Sequence, residues 1–233
     1  MNIESVLTPR LRAIADSVPT GATLADVGTD HGYVPIYLCQ KNVIEKALAM
    51  DVKEGPLSRA QNNIERFGMK EKVETRLSDG LCALQQGEVD TAVIAGMGGL
   101  LIAQILEEAP FYLKTYILQP MTATAELRAY LEEKGYRISY EVLAKEDEKI
   151  YTIIRAERGE MKIEKPVYYH VGKRLLEQRD PLAPLLIGQL LTKYQQTLCG
   201  LDKAEKENVS EKKQQISDLI KELLTLKEVC STW

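Results

Sequence analysis

Short apolar runs alternate with amphipathic runs of helical periodicity between residues 22 and 134, and this alternation restricts the fold more than any other feature. The apolar runs predict strands at 22–27, 46–51, 72–77, 91–95 and 115–118. The amphipathic runs predict helices at 34–40, 55–67, 99–108 and 124–134, after a first helix within residues 1–18. This order predicts an α/β protein whose parallel sheet is covered by helices on both faces.

The end of the predicted sheet has a different pattern. Two strand-like runs, 136–143 and 149–156, are separated only by the polar segment 144–148. Because this segment is too short for a crossover helix, we expect the two runs to pair as an antiparallel hairpin. Such a hairpin is less expected for a nicotinamide-binding fold, whose sheet is parallel throughout.

The composition changes again after about Gly159. Two leucine-rich stripes at helical spacing, 182–201 and 209–229, predict a helical hairpin that resembles a coiled coil. We therefore predict two domains, residues 1–159 with the sheet and residues 160–233 with helices only. The leucine stripes are interpreted as packing between these two helices, which favours a monomer over a dimer.

Composition excludes some classes of function. The net charge is −4, whereas nucleic-acid-binding domains are usually basic, although a local basic face is enough to bind phosphates. Two histidines and four scattered cysteines, with no CxxC pair, predict no metal site. Since no apolar run is long enough for a signal peptide or a membrane span, we expect a cytoplasmic protein without membrane contact.

The turn after the first predicted strand carries the strongest functional signal. In the segment DVGTDHG, residues 26–32, an acid ends the strand and two glycines follow, four positions apart. Glycine allows a tight turn and close approach of a ligand, and the next helix presents its N-terminus to that ligand. Asp26 and Asp30 would repel a diphosphate, so the loop suits a cationic or amine-bearing ligand. Taken alone, the segment is also compatible with a structural turn that carries incidental acids.

Acids also end the second and third predicted strands. Asp51, followed by Val52, has the position from which nucleoside-binding sheets bind ribose hydroxyls. Asp79, followed by Gly80, can accept a hydrogen bond from an adenine amino group, although an Asp-Gly pair is by itself a common turn. Because ligands bind open α/β sheets at this edge, three acids at successive strand ends predict a nucleoside site.

Glycines dominate the end of the fourth predicted strand. The segment AGMGG, residues 95–99, lacks side chains at positions where a bulky group must come close. We interpret it as the wall between a donor and an acceptor, and a tight turn at a helix start is the alternative. Gln119 and Pro120 follow the fifth predicted strand, which the proline is expected to end, and the amide can both donate and accept hydrogen bonds.

Five segments, in this order along the chain, carry a specific resemblance. They are DVGTDHGYVPI, AMDVKEGPL, LSDGL, VIAGMGG and ILQP, of which IAGMGG is the most distinctive. With the helical C-terminal region, they resemble the bacterial tRNA adenine-N1 methyltransferases that act on adenine-22. The resemblance covers essentially the whole chain and implies the class I methyltransferase fold, a mostly parallel, Rossmann-like sheet that ends in an antiparallel hairpin.

The resemblance implies S-adenosyl-L-methionine as methyl donor and N1 of an adenine in the D-arm region of tRNA as acceptor. The residues expected to bind the donor are Asp26, Gly28, Asp30, His31, Gly32, Asp51, Val52, Asp79, Gly80, Ala95, Gly96, Met97 and Gly98. The residues expected to contact tRNA are Arg10, Tyr33, Gly99, Gln119, Pro120, Lys173 and Arg174. Four lysines near the tip of the predicted helical hairpin are further candidates, namely Lys203, Lys206, Lys212 and Lys213.

Adenine N1 already carries a lone pair, so methyl transfer needs alignment more than a general base. Methylation leaves a positive charge on the base, which a nearby carboxylate can stabilise. Asp30 is the first candidate for this catalytic role and His31 the second, although a lone histidine at a helix start is about as often structural. N1 lies on the Watson–Crick edge, so a paired adenine must first be flipped out of its helix.

Two other functions remain open at this point. One is a methyltransferase of the same fold that acts on another RNA, a protein or a small molecule. The other is a catalytically silent RNA-binding or scaffold protein. The helical arm argues against a small acceptor, and the intact row of acids argues against a silent domain.

Overall fold

The computed structural model describes residues 3–202 and 209–233, and the chain separates into two compact units, residues 1–161 and 162–233. Lys203 and Lys206, two of the lysines expected near the hairpin tip, lie outside the described residues.

A seven-stranded sheet forms the centre of the first unit. Its strands are β1 (Leu24–Val27), β2 (Ala47–Asp51), β3 (Val73–Leu77), β4 (Thr91–Gly98), β5 (Thr115–Thr122), β6 (Tyr136–Glu146) and β7 (Lys149–Arg158). Their order across the sheet is β3-β2-β1-β4-β5-β7-β6. Strands β1 to β5 pair in parallel, whereas β7 is antiparallel to both β5 and β6. The prediction of a parallel sheet that ends in an antiparallel hairpin is confirmed.

Helices cover both faces of this sheet. They are α1 (Pro9–Asp16), α2 (Tyr33–Gln40), α3 (Glu54–Arg66), α4 (Gly99–Glu107) and α5 (Thr124–Glu133), and a 3-10 turn at Ile3–Val6 precedes them. One apolar cluster packs Ile14 of α1 and Ile64 of α3 with Val93 of the sheet. A second cluster packs Ile102 of α4 with Ile94. Because neighbouring strand residues point to opposite faces, Val93 and Ile94 connect β4 to both cores.

Strands β4 and β5 extend further than the sequence predicts. The expectation that Pro120 ends β5 is wrong, because β5 continues to Thr122 and Pro120 pairs with Met97 of β4. Pairing between β5 and β7 stops at Leu118. Beyond Leu118 the side of β5 that faces β7 has no partner strand, so no N–H group is needed there. A strand position without a partner on one side accepts proline, which lacks an N–H.

The β6–β7 hairpin is also longer than predicted. Its pairing runs to Glu146 and Lys149, so the connecting turn contains two residues, Asp147 and Glu148. Asp147 has a φ of 51°, a left-handed conformation that aspartate tolerates better than most residues. The extension places Glu146 at the tip of the hairpin.

The second unit is helical. It contains α6 (Val167–Val171), α7 (Lys173–Glu177), α8 (Ala183–Asp202) and α9 (Val209–Cys230), of which the two short helices are not predicted from the sequence. Ile187, Leu191 and Leu223 are buried in one apolar cluster between the long helices. Within the described ranges no helix is both long enough and apolar enough to cross a membrane.

Candidate active site

The strand register brings the predicted site segments to one edge of the sheet. Val27, the last residue of β1, lies between Met50 of β2 and Ile94 of β4, and Ile94 lies beside Leu118 of β5. The segments that follow these strands therefore emerge side by side at the carboxyl edge, where open α/β sheets bind ligands.

The loop after β1 is held against β2 by its backbone. The N–H groups of Gly28 and Thr29 both donate to the carbonyl oxygen of Met50, at 2.8 and 2.9 Å. Gly28 has a φ of 74°, and a Cβ added there would overlap the Met97 Cε atom. The positive φ therefore favours glycine at this position, and a Cβ would in addition displace the terminal methyl group of Met97.

The same loop turns sharply into α2. The Gly32 N–H donates to the Thr29 hydroxyl oxygen at 3.0 Å, and Gly32 has a φ of 67°. This bond closes the loop and places its backbone beside the first turn of α2, whose N-terminal N–H groups favour a negatively charged or carboxylate group.

Asp26 is buried at the end of β1. Burial raises the pKa of its carboxyl group to about 6, and a hydrogen bond with Thr29 opposes this rise. A carboxyl group of this kind changes its charge close to neutral pH, and a nearby cation would favour its ionised form.

Asp30 is half exposed and is fixed by two neighbours. Arg59 of α3 donates from Nε to Asp30 Oδ1 at 2.9 Å, and the His31 Nε2 atom lies 3.1 Å from Oδ2. The His31 ring stacks on Tyr33 with a centroid separation of 5.0 Å. The structure thus brings the two candidate catalytic residues and the candidate RNA-stacking aromatic together.

Two residues of α3 belong to this arrangement, and the sequence analysis missed them. Arg59 holds Asp30, and the Asn63 side chain donates to the His31 carbonyl oxygen at 3.0 Å. They are four positions apart and so lie on one face of the helix. Two polar residues at this spacing, in the helix that follows the second strand, were the sequence signal that could have identified them.

The ends of β2 and β3 combine acids with exposed apolar groups. The Asp51 carbonyl oxygen accepts a hydrogen bond from the Ser78 N–H at 2.9 Å, which ties the two ends together. Asp79 is exposed, and Val52 and Leu77 are also exposed, at 57% and 54%. Carboxylates can accept hydrogen bonds from hydroxyl and amino groups while the apolar side chains cover an aromatic ring, a combination that suits a nucleoside.

The glycine-rich end of β4 packs closely against β5. The register shifts between Ala95 and Met97, and Gly96 has a φ of 78° at this irregularity. A Cβ added at Gly99 would overlap the carbonyl oxygen of Ala123, in the turn after β5. The turns that follow β4 and β5 therefore approach each other through their backbones, which only glycine permits here.

Gln119 and Pro120 are both buried, so neither presents a side chain at the surface of the site. The Gln119 Oε1 atom accepts from Arg10 Nη1 at 2.8 Å and from the Gly96 N–H at 3.2 Å. Its Nε2 donates to the Pro120 carbonyl oxygen at 2.9 Å. The amide of Gln119 thus connects α1 to the ends of β4 and β5.

Arg10 is supported by the tip of the β6–β7 hairpin. Glu146 Oε1 accepts from the Arg10 backbone N–H at 3.0 Å, and the Tyr151 ring centroid lies 5.4 Å from Arg10 Cζ. Sequence analysis named Arg10 as a candidate tRNA contact but did not connect it with Glu146 or Tyr151, because no local pattern links residues that are more than 130 positions apart.

Lys173 and Arg174 lie in α7 of the second unit. Lys173 pairs with Glu164 at 2.8 Å, and Arg174 pairs with Glu177 at 2.8 Å. Arg174 is exposed and Lys173 is partly exposed, and both carry acidic neighbours, which reduce their attraction for phosphate.

Two further observations concern ligands. Within the described residues no group of three histidine, cysteine or acidic side chains could hold a metal ion. A cavity of about 520 Å³ lies at the opposite edge of the sheet, where its lining includes Leu24, Ala47 and Val73 at the starts of β1, β2 and β3. None of the predicted site residues lines that cavity.

Comparisons with known proteins identify the family of the chain. Residues 7–154 match a family model described as a methyltransferase domain. Among curated proteins, the tRNA (adenine(22)-N(1))-methyltransferase of Bacillus subtilis (strain 168) is 37% identical over 160 residues, which are 67% of this chain and 67% of that protein.

Solved structures extend the similarity over nearly the whole chain. The B. subtilis M1A22 tRNA methyltransferase TrmK has a TM-score of 0.84 at 30% identity, covering 95% of this chain and 98% of its own. The Streptococcus pneumoniae protein Sp1610, solved in complex with S-adenosyl-L-methionine, has a TM-score of 0.79 at 35% identity, covering 95% of this chain and 99% of its own.

Proposed function

The chain belongs to the bacterial tRNA (adenine-22-N1)-methyltransferase family, and we propose that it transfers a methyl group from S-adenosyl-L-methionine to N1 of adenine-22 in tRNA. The observation that carries this proposal is the row of acids and glycines at the carboxyl edge of the sheet, since it combines a nucleoside site with space for an acceptor beside it.

The residues present at this edge fit the donor. S-adenosyl-L-methionine has a sulfonium, an ammonium, ribose hydroxyls and an adenine, but no phosphate, and the site offers carboxylates with apolar surfaces. We assign Asp51 to the ribose hydroxyls, Asp79 to the adenine amino group and Asp26 to the cationic methionine end. The exposed side chains of Val52 and Leu77, beside these acids, can cover the adenine ring.

The chain's own contribution to the reaction is alignment and charge. When bound, the donor supplies an electrophilic methyl group on sulfur. We assign to Gly96 the room through which the adenine approaches along the line of transfer, and this positioning accounts for most of the expected rate. Asp30, held by Arg59, stabilises the positive charge that develops on the base, and His31 orients the Asp30 carboxylate.

Residues 162–233 are assigned to tRNA binding. An elongated pair of helices can follow an RNA backbone, and Lys173 and Arg174 of α7 are the candidate phosphate contacts. The enzyme is assigned to the cytoplasm, where its substrate is modified. It is assigned as a monomer because Ile187, Leu191 and Leu223 are already buried within one chain; light scattering after size-exclusion chromatography would test this assignment.

The function is tested by methyl transfer from radiolabelled S-adenosyl-L-methionine to unmodified tRNA, followed by nucleoside mapping. We expect label in 1-methyladenosine at position 22, and none in a matched tRNA that carries guanosine there. Donor binding with label in another nucleotide, or in a protein, would retain the methyltransferase but overturn the acceptor. Donor binding without any transfer to RNA would overturn the tRNA assignment altogether.

A further inference from the structure

Arg10 is held beside the glycine-rich end of β4 by groups from three other parts of the chain. We propose that Arg10 binds a phosphate of the target nucleotide and that Glu146, at the hairpin tip, is the positioning residue that holds it there. The inference rests on the proposed function and adds the pair of residues that secures the RNA backbone next to the reacting base.

The first step is the contact between Arg10 and Gln119. Arg10 Nη1 donates to Gln119 Oε1 at 2.8 Å, and the same oxygen accepts the Gly96 N–H at 3.2 Å. Because Gln119 is completely buried, its amide has a fixed position and the guanidinium is fixed with it. A Cβ added at Gly96 would lie 3.8 Å from Arg10 Nη1, so the cation lies directly beside the acceptor side of the site.

The second step is the support from Glu146. Its Oε1 accepts from the Arg10 backbone N–H at 3.0 Å, and its Oε2 lies 3.9 Å from Arg10 Nε. Arg10 lies in the first turn of α1, where backbone N–H groups have no partner within the helix. One carboxylate therefore satisfies the helix end and orients the side chain of the same residue.

The third step concerns the donors that remain. Tyr151 lies under the guanidinium, with its ring centroid 5.4 Å from Arg10 Cζ. The side chain of Arg10 is 23% exposed, and among the described residues only Gln119 accepts a hydrogen bond from its guanidinium. A planar, fixed and partly exposed guanidinium is well suited to a phosphate, which it can bind through two parallel bonds.

Charge decides between a phosphate and the base as the partner of Arg10. Methylation at N1 makes the adenine cationic, so a fixed guanidinium against the base would oppose the reaction. A nucleotide turned out of its helix keeps its phosphates as anionic groups close to the base. The net charge of −4 gives the protein no overall attraction for RNA, which increases the value of a local fixed cation.

The test compares Arg10→Ala and Arg10→Lys with Arg66→Ala, which removes one arginine at the far end of α3. Measurements are the KM for tRNA at several salt concentrations, kcat, and the Kd for the donor. Loss of one charge-assisted phosphate contact is expected to raise the KM for tRNA about tenfold in Arg10→Ala. The slope of log KM against log salt should fall by about one.

Donor affinity should not change in any of these variants. Arg10→Lys should keep the salt slope with an intermediate KM, since it retains the charge but not the planar fork. Arg66→Ala should match the wild type in every measurement. An Arg10→Ala enzyme that folds and has the KM and salt slope of Arg66→Ala would overturn the phosphate contact; if it does not fold, an unchanged KM in Arg10→Lys would do so.

Glu146 is tested by a double-mutant cycle, with Glu133→Gln as the control for loss of an exposed carboxylate. Glu146→Gln should raise the KM for tRNA about threefold through its effect on Arg10, and should add nothing in the Arg10→Ala background. An increase of the same size in that background would show that Glu146 acts independently and would overturn its positioning role. If the wild type itself formed no 1-methyladenosine, the proposed function would fail instead.

Discussion

Arg59 Nε donates to Asp30 Oδ1 at 2.9 Å, so the exposed acid of the loop after β1 has a position determined by α3. The His31 Nε2 atom lies 3.1 Å from the other oxygen of this carboxylate. Each carboxylate oxygen of Asp30 therefore has its own partner, and together the two partners fix the direction of the carboxylate. This is the arrangement expected where a negative charge must be held in place as a reaction proceeds.

Asp30→Asn is therefore expected to lower kcat by about tenfold or more, because it removes a preorganised charge beside the reacting base. The Kd for S-adenosyl-L-methionine should change much less. Single-turnover rates and calorimetric binding measure the two quantities separately. Asp16→Asn is the matched control, since Asp16 is an exposed acid that also pairs with an arginine, Arg12. Equal rates for both variants would exclude a catalytic role for Asp30.

Gly28→Ala is expected to weaken donor binding by about tenfold or more and to destabilise the fold. The new methyl group would overlap Met97 Cε, and alanine is strained at a φ of 74°. Gly21→Ala has the same kind of backbone strain, at a φ of 80°, but nothing lies within 4 Å of the added Cβ. Calorimetry of donor binding and thermal unfolding of both variants separate the effect of the overlap with Met97 from the effect of the backbone strain. If both variants changed the Kd for the donor equally, a specific role of Gly28 in donor binding would be contradicted.

Donor binding is expected to depend on pH through Asp26. Burial raises the pKa of this carboxyl to about 6, and a cationic ligand needs its ionised form. The Kd should therefore be about tenfold higher at about pH 5 than at about pH 7, a range below the pKa of roughly 7.7 for an α-amino group. Asp26→Asn should remove this dependence. Calorimetry at several pH values makes the measurement, and a pH-independent Kd in the wild type would contradict it.

Ionisation of Asp26 has the opposite effect on the folding stability of the protein without donor. Its pKa in the folded state lies above its usual value of 3.8, so the stability it contributes is present below about pH 4 and is lost as the pH rises through about 6. Urea unfolding of Asp26→Asn without donor should show a smaller loss of stability over this range than the wild type. A larger loss would mean that the carboxylate is stabilised by a group other than Thr29.

The ion pair between Arg128 and Glu141 is expected to be the most sensitive charged contact for stability. Both side chains are 1% exposed, and their closest atoms are 2.7 Å apart. Glu141→Gln removes a buried counter-charge and should lower the free energy of unfolding by about 3 kcal/mol. Lys221→Gln breaks an exposed pair with Asp218 and should cost less than about 1 kcal/mol. Urea unfolding of the two variants tests the contrast, and similar midpoints would contradict it.

Glu177→Gln is expected to lower the KM for tRNA. This acid pairs with Arg174 at 2.8 Å and lies 4.0 Å from Lys173, so its removal increases the local positive charge available to phosphates. The double variant Lys173→Ala, Arg174→Ala should raise the same KM. Filter binding of tRNA and steady-state kinetics make the comparison. Unchanged affinity in both cases would remove α7 from the RNA interface.

Local sequence patterns predict the elements of this fold better than its contacts. Strand β1 and helix α2 are predicted because apolar runs and glycines are local signals. The location of Asp51 and Asp79 at the carboxyl edge of the sheet is predicted because each lies at or just after the end of a predicted strand. The continuation of β5 past Pro120 is not predicted, because it depends on where β7 stops pairing. Contacts such as that of Arg10 with Glu146 join distant segments. They also depend on the length of the β6–β7 hairpin, which is longer than the strand pattern predicts.

The carboxyl edge of the sheet is not level. β1 ends at Val27, beside Ile94, whereas β4 continues to Gly98, four residues further. At about 3.3 Å per residue this is a step of roughly 13 Å, slightly more than the width of an α-helix. We expect a rigid RNA helix that rests on the end of β4 to be kept above the loop that follows β1. The step therefore predicts that an acceptor adenine reaches this loop only after it has left its stack.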